Sequence, residues 1–114
     1  MAKRATWAQK SQDEWVEKDD VRIKKTMEMW ELFYKIWKTR VHKSEVSKEY
    51  LGKEPLSAYF HHILPKSKYP EFRLVEENII LLTLDEHANV ESDMYKYEEV
   101  NKRREQLITK YNVL

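Results

Sequence analysis

The sequence predicts one α+β domain: a long N-terminal helix, two short strands separated by a proline-containing loop, a short acidic helix and a C-terminal helix. Apolar side chains recur at spacings of three and four from Ile23 to Trp37 and again from Tyr97 to Tyr111, the period of a helix with one buried face. Residues 58–63 alternate aromatic and polar side chains, and residues 79–82 form a short unbroken apolar run, which are the two patterns of strands. A length of 114 residues suits one domain with a modest core and leaves no room for a second.

The first helix is expected over about residues 11–39. Ile23, Met27, Trp30, Tyr34 and Trp37 form its stripe, widened by Met29, Phe33 and Ile36, while Asp19, Asp20, Lys24 and Lys25 face water. The apolar arc is broad for one helix in so short a chain, so homodimerisation through it stands as an equal alternative to burial within the chain. His42 reads as a surface residue. Residues 64–78 hold Pro65, Pro70 and many charges and read as a loop. In Tyr69-Pro70-Glu71-Phe72-Arg73, packing by Tyr69 and Phe72 and contact with a polyanion both remain open. From Leu84 onward, Asp85 and Glu86 place acids where a helix dipole favours them. In the last helix Tyr97, Val100, Leu107, Ile108 and Tyr111 are expected on the core.

The residues that carry chemistry lie between Phe60 and Glu91. A His61-His62 pair stands on the first strand, Asn78 ends the loop, and His87 and Glu91 are spaced i, i+4 on one face of the acidic helix. Adjacent strand residues point to opposite faces, so the two histidines cannot do the same job. Phe60-His61-His62-Ile63-Leu64-Pro65, followed by Asn78-Ile79-Ile80-Leu81-Leu82-Thr83-Leu84-Asp85-Glu86-His87, resembles the HNH endonucleases, or ββα-metal nucleases.

The resemblance implies a ββα-metal motif over residues 41–95, with residues 1–40 as a helical extension and residues 96–114 as the C-terminal helix. It implies that His61, His87 and Glu91 hold one divalent metal, with Glu91 standing where many relatives have histidine. Magnesium leads, with manganese, nickel and zinc as alternatives for this nitrogen and oxygen set. His62 would be the general base that takes a proton from water, and Asn78 would support it by bonding to the loop backbone. Many members also carry a structural zinc on two Cys-x-x-Cys pairs. Here those slots read Ser44-Glu45-Val46-Ser47 and Thr83-Leu84-Asp85-Glu86, and the chain has no cysteine, so no structural zinc is expected and apolar burial must hold the domain instead.

Charge adds a second line of reasoning. Residues 74–91 include Glu76, Glu77, Asp85, Glu86 and Glu91 without a lysine or arginine, in a chain of net charge +1; that reads as a field for a cation. Lys66, Lys68 and Arg73, with Lys102, Arg103 and Arg104 further on, read as phosphate contacts, although clusters at 36% charged residues are commonly a solvated face. The expected activity is metal-dependent hydrolysis of DNA, with little sequence specificity because the contacts would be mainly to backbone. Two alternatives stand beside it: a catalytically silent HNH scaffold that binds nucleic acid or a packaging or replication partner, and an interaction protein whose metal site is structural. No span or signal-peptide pattern is present, so the expected setting is the cytoplasm of a bacterium, with a phage gene as one source.

Overall fold

The computed structural model describes residues 2–113, with side chains from residue 20 onward. Helix α1 (Ala2–Thr39) is followed by strand β1 (Phe60–His62), strand β2 (Ile79–Leu81), helix α2 (Leu84–Ser92) and helix α3 (Glu98–Tyr111). This is an α+β arrangement whose strands form one antiparallel pair. The chain divides into two compact units, residues 1–31 and residues 32–114. Helix α1 starts earlier than the expected Ser11, because residues 2–10 hold no proline or glycine and are rich in alanine, lysine, arginine and glutamine, all good helix formers.

In the first unit Val21, Ile23 and Met27 are exposed, with Met27 at 58%. Asp20, Lys24 and Lys25 face solvent, and Asp19 lies outside the residues whose side chains are described. The predicted stripe is therefore corrected. The buried face of α1 is Phe33, Ile36 and Trp37, spaced i, i+3, i+4 in the second unit, while Tyr34 is exposed. Among the described residues of the helix, this last stretch alone carries core residues, so the periodicity continued further than the burial.

The second unit packs around both faces of the strand pair. Phe60 pairs with Leu81, His61 with Ile80 and His62 with Ile79, so alternation puts Phe60 and His62 on one face and His61 on the other. The Phe60 ring stacks on Phe33 with centroids 4.2 Å apart. On the other side Ile80 joins Ile63, Leu64, Leu82, Val90, Val100 and Leu107 in a buried cluster, with Tyr69, Phe72 and Tyr97 against it. Being covered on both faces is why β2 reads as an unbroken apolar run. Tyr69 and Phe72 thus serve packing. In α3, Ile108 and Tyr111 are each 38% exposed, a correction to their expected burial; the core side of that helix is Val100, Arg104 and Leu107.

Residues 41–56 wrap the start of the site and depend on side-chain hydrogen bonds. His42 is not a surface residue: its ring stacks on Trp37 at 3.8 Å, and its Nε2 donates to the Trp37 carbonyl at 2.7 Å, satisfying an end group of α1. Ser44 Oγ is fully buried and donates to Glu86 Oε1, while Val46 and Ser47 N–H groups donate to Ser44 Oγ. Glu86 also completes a capping box with Thr83 at the start of α2. Ser44 and Glu86 are thus joined directly by a hydrogen bond, and Thr83 joins them through the cap.

Glu45 is the second anchor. Its carboxylate accepts from Leu81 N–H at 2.7 Å, from Arg40 at 2.9 Å and from Arg103 at 2.8 Å, tying α1, β2 and α3 to one loop. Burial pushes the Glu45 carboxyl upward, but the Leu81 N–H and the two guanidinium groups outweigh it and hold the carboxyl below its ordinary range. Stability from this group is therefore full above the unfolded value of about 4.3 and is lost as pH falls through the lower folded value. Its ion pairs are neither exposed nor fully buried, so Glu45→Ala should cost about 2 kcal/mol in urea unfolding at pH 7, between an exposed pair and a buried one. The gap between the wild type and Glu45→Gln should narrow as pH is lowered below about 4; a constant gap would show that the ionised form is not what stabilises.

Candidate metal centre

Two residues separate β2 from helix α2, and the cap fixes the direction in which the helix leaves the sheet. His87 N–H donates to the Thr83 carbonyl, placing the His87 side chain one turn into α2 beside the sheet face that carries His61. The two rings are 5.0 Å apart in an edge arrangement. His87 Nδ1 donates to the Ala58 carbonyl at 2.5 Å. A carbonyl can only accept, so this bond places the ring proton on Nδ1 and leaves the Nε2 lone pair turned outward. Nε2 faces Glu91 Oε1 at 3.2 Å, and two electron-rich atoms at that distance need a proton or a cation between them.

Geometry favours a shared cation as readily as a proton. Two ligand atoms about 2.0–2.1 Å from one ion at the tetrahedral angle lie about 3.3 Å apart. His61 completes the group: one ligand atom from each of His61, His87 and Glu91 falls within 4.8 Å of the others. Burial, then the His87 charge, with His62 and Arg104 adding to it, push the His61 imidazole down to about 4 against an opposing pull from Glu91. At neutral pH it is an uncharged donor, the form a metal requires. These three residues could hold a metal ion.

His62, on the opposite sheet face, is fixed in the same manner. Its Nε2 donates to the Arg73 carbonyl at 2.9 Å, so Nε2 carries the proton and Nδ1 is the accepting atom. Burial lowers its pKa, the Arg73 carbonyl works against that, and Lys66, Arg73 and His87 lower it further. The net effect is downward, and the ring is neutral at pH 7. Asn78 holds the loop that supplies this carbonyl. It is fully buried; its Oδ1 accepts from Leu64 N–H at 2.7 Å, and its Nδ2 donates to the Leu64 and Phe72 carbonyls, each at 3.1 Å. Asn78 makes no contact with the three ligating side chains.

Several charges expected at the site are engaged elsewhere. Glu76 pairs with Lys35 and Glu77 with Lys110, and Glu86 serves the α2 cap. Of the five acids read as a cation field, only Glu91 joins the ligand group. The basic trio is corrected as well. Arg103 is tied to Glu45 and Arg104 is 7% exposed, so of those three only Lys102 faces solvent freely. Lys66 and Lys68 are exposed and Arg73 is half-buried. The Ala58 and Arg73 carbonyls, which set both ring tautomers, carry no side-chain signal and were not legible in the sequence.

No family model, curated protein or solved structure matches the chain. Among the described residues no helix is long and apolar enough to cross a membrane.

Two measurements test this centre. Saturating zinc or manganese at about a hundredfold over Kd adds about 2.7 kcal/mol to folding stability, which for a domain of this size raises melting by about 10 °C or more; chelator should reverse the rise and His87→Ala should abolish it. Asn78→Ala leaves Leu64 N–H buried without a partner and should cost roughly 3 kcal/mol in denaturant unfolding, with the zinc-induced rise in melting temperature retained. Loss of that rise in Asn78→Ala would mean that Asn78 supports the ligands and not only the loop.

Proposed function

We propose that this chain is a divalent-metal-dependent endonuclease of the HNH, or ββα-metal, type, acting on DNA phosphodiester bonds. The observation that carries the reading is the convergence of His61, His87 and Glu91 beside a neutral His62 whose Nε2 is committed to a backbone carbonyl. The residues present fit a divalent ion, because His61 is an uncharged donor at neutral pH, the Ala58 bond leaves His87 Nε2 free of that carbonyl, and the Glu91 carboxylate opposes Nε2 at ligand spacing. An ion held there supplies Lewis-acid stabilisation of charge on the phosphate and leaving oxygen. Imidazole in the donor set suits zinc, nickel or manganese at least as well as magnesium.

His62 takes the proton from the attacking water at Nδ1. Its Nε2–H stays on the Arg73 carbonyl throughout, so the imidazolium that forms is stabilised by a bond already in place and the ring does not turn. Asn78 keeps the segment around Phe72 at its distance from β1, and so keeps that carbonyl under the ring. Lys66 and Lys68 are exposed near this loop and supply salt-sensitive attraction to the nucleic-acid backbone.

Supercoiled-plasmid cleavage with magnesium, manganese, nickel or chelator is the direct test. The expected outcome is metal-dependent nicking, reduced roughly 10²- to 10⁴-fold by His62→Ala while the metal-induced rise in melting temperature is kept. Metal binding without cleavage in any ion would overturn the nuclease reading and leave a binding scaffold. Equal cleavage by His62→Ala would remove His62 as the base.

A further inference from the structure

Tyr95 lies four residues after Glu91, in the turn between α2 and α3, and combines exposure with fixation. It is 66% exposed, yet its N–H donates to Asp93 Oδ1 at 3.1 Å and its carbonyl accepts from Asn101 Nδ2 at 2.8 Å. One face of its ring lies on the Arg104 guanidinium, whose Cζ is 5.2 Å from the ring centroid. Arg104 is itself fixed, donating to Asn101 Oδ1 at 2.8 Å and to the Met94 carbonyl at 2.7 Å. Its Nε is buried with no hydrogen-bond partner, and among the described residues the guanidinium makes no ion pair.

Three consequences follow from that arrangement. A ring that is already ordered binds a flat partner at little further entropic cost. A buried cation without a counter-charge leaves a positive potential under the exposed ring, which favours a ligand carrying negative charge. The pair is also tied to the ligand group by the chain: Tyr95 stands four residues after Glu91, in the segment that leaves the end of the helix bearing His87 and Glu91. The Arg104 nitrogens are enclosed, so the guanidinium acts through its field and through the ring, not by touching a phosphate.

We propose that Tyr95 is a stacking platform for an unpaired nucleobase next to the phosphodiester held at His61, His87 and Glu91. This rests on the nuclease reading and narrows its substrate to nucleic acid with an unpaired nucleotide at the cut, such as a single strand or a branch point. Bases inside a regular duplex have both faces covered by their neighbours, whereas an unstacked base offers a free face to an aromatic side chain.

The test uses the full chain carrying His62→Ala, with manganese, so that binding is read without cleavage. The probes are a short single strand containing a fluorescent aminopurine base and the fully paired duplex of the same sequence. The single strand should bind more tightly and its fluorescence should be quenched. Adding Tyr95→Ala should weaken single-strand binding roughly tenfold and remove the quenching, with duplex binding and the manganese-induced rise in melting temperature unchanged. Tyr95→Phe should retain both effects, and the exposure of Tyr95 makes loss of folding a readily checked matter of circular dichroism. Equal binding of single strand and duplex, or single-strand binding and quenching unaltered in Tyr95→Ala, would overturn the platform. Plasmid cleavage by the protein with His62 intact reads the nuclease activity separately: cleavage without Tyr95-dependent stacking sinks only this inference, and stacking without cleavage sinks only the reading it rests on.

Discussion

Two strands of three residues each have too few ladder hydrogen bonds to set their own register, and the meeting of His61 with His87 and Glu91 depends on that register. A slip of one residue would exchange the faces of His61 and His62, taking the first away from His87 and the second away from the Arg73 carbonyl. The register is held from outside the ladder. Asn78 bonds both backbone groups of Leu64 just beyond β1, and the Glu45 segment bonds both backbone groups of Leu81 at the other end of β2. Asn78 is satisfied wholly by backbone groups, and the Glu45 carboxylate by one backbone N–H and two guanidinium groups. That is the condition under which a buried polar group adds specificity without an uncompensated desolvation cost.

Much of the candidate site's geometry was legible because it is local. The i, i+4 relation of His87 and Glu91, the alternation of His61 and His62, and the cap at Thr83 each depend on a few neighbouring residues, and local rules convert them into positions. The extent of core contact was not legible in the same way. Periodicity marks a face of α1 but not how far along the helix that face is covered, which is why Met27 was assigned to the interior and Phe33 only to its margin. Charge was misread for a related reason. Sequence proximity grouped Glu76, Glu77 and Glu86 with Glu91, whereas each of the first three finds a partner from a distant segment: Lys35, Lys110 and Ser44.

His62 and His87 are each fixed by a backbone carbonyl. A carbonyl beneath one ring nitrogen removes a tautomer and thereby names the atom left to accept a proton or a cation: Nε2 on His87 and Nδ1 on His62. Burial then disfavours the charged form of His61 and His62, so neither needs to lose a proton before acting at pH 7. Uncharged His61 and His62 rings would be incompatible with a strongly acidic surrounding, which would raise both imidazoles. The removal of Glu76, Glu77 and Glu86 into pairs and caps elsewhere is therefore consistent with the site's chemistry, although it contradicts the simpler picture of an acidic basin for a cation.

The residues that hold the fold and the candidate ligands overlap little. Ser44, Glu45, Asn78, Thr83 and Glu86 stabilise loops, the sheet and the start of α2, and none of them belongs to the ligand group. Among the described residues, His87 is the one candidate ligand with a side-chain hydrogen bond to a separate segment, through Ala58. A module built this way closes its loops and sheet through bonds that an ion would not share. In domains whose fold is assembled by a metal, binding and folding free energy are the same quantity, and weakening one weakens the other. Here Glu91, the most exposed of the three ligands, with its side chain 68% accessible, can leave or join the group without disturbing β1 or the α2 cap. That freedom would leave open positions on an ion held there, and it is available because the cap is held by Thr83 and Glu86 and not by His61, His87 or Glu91.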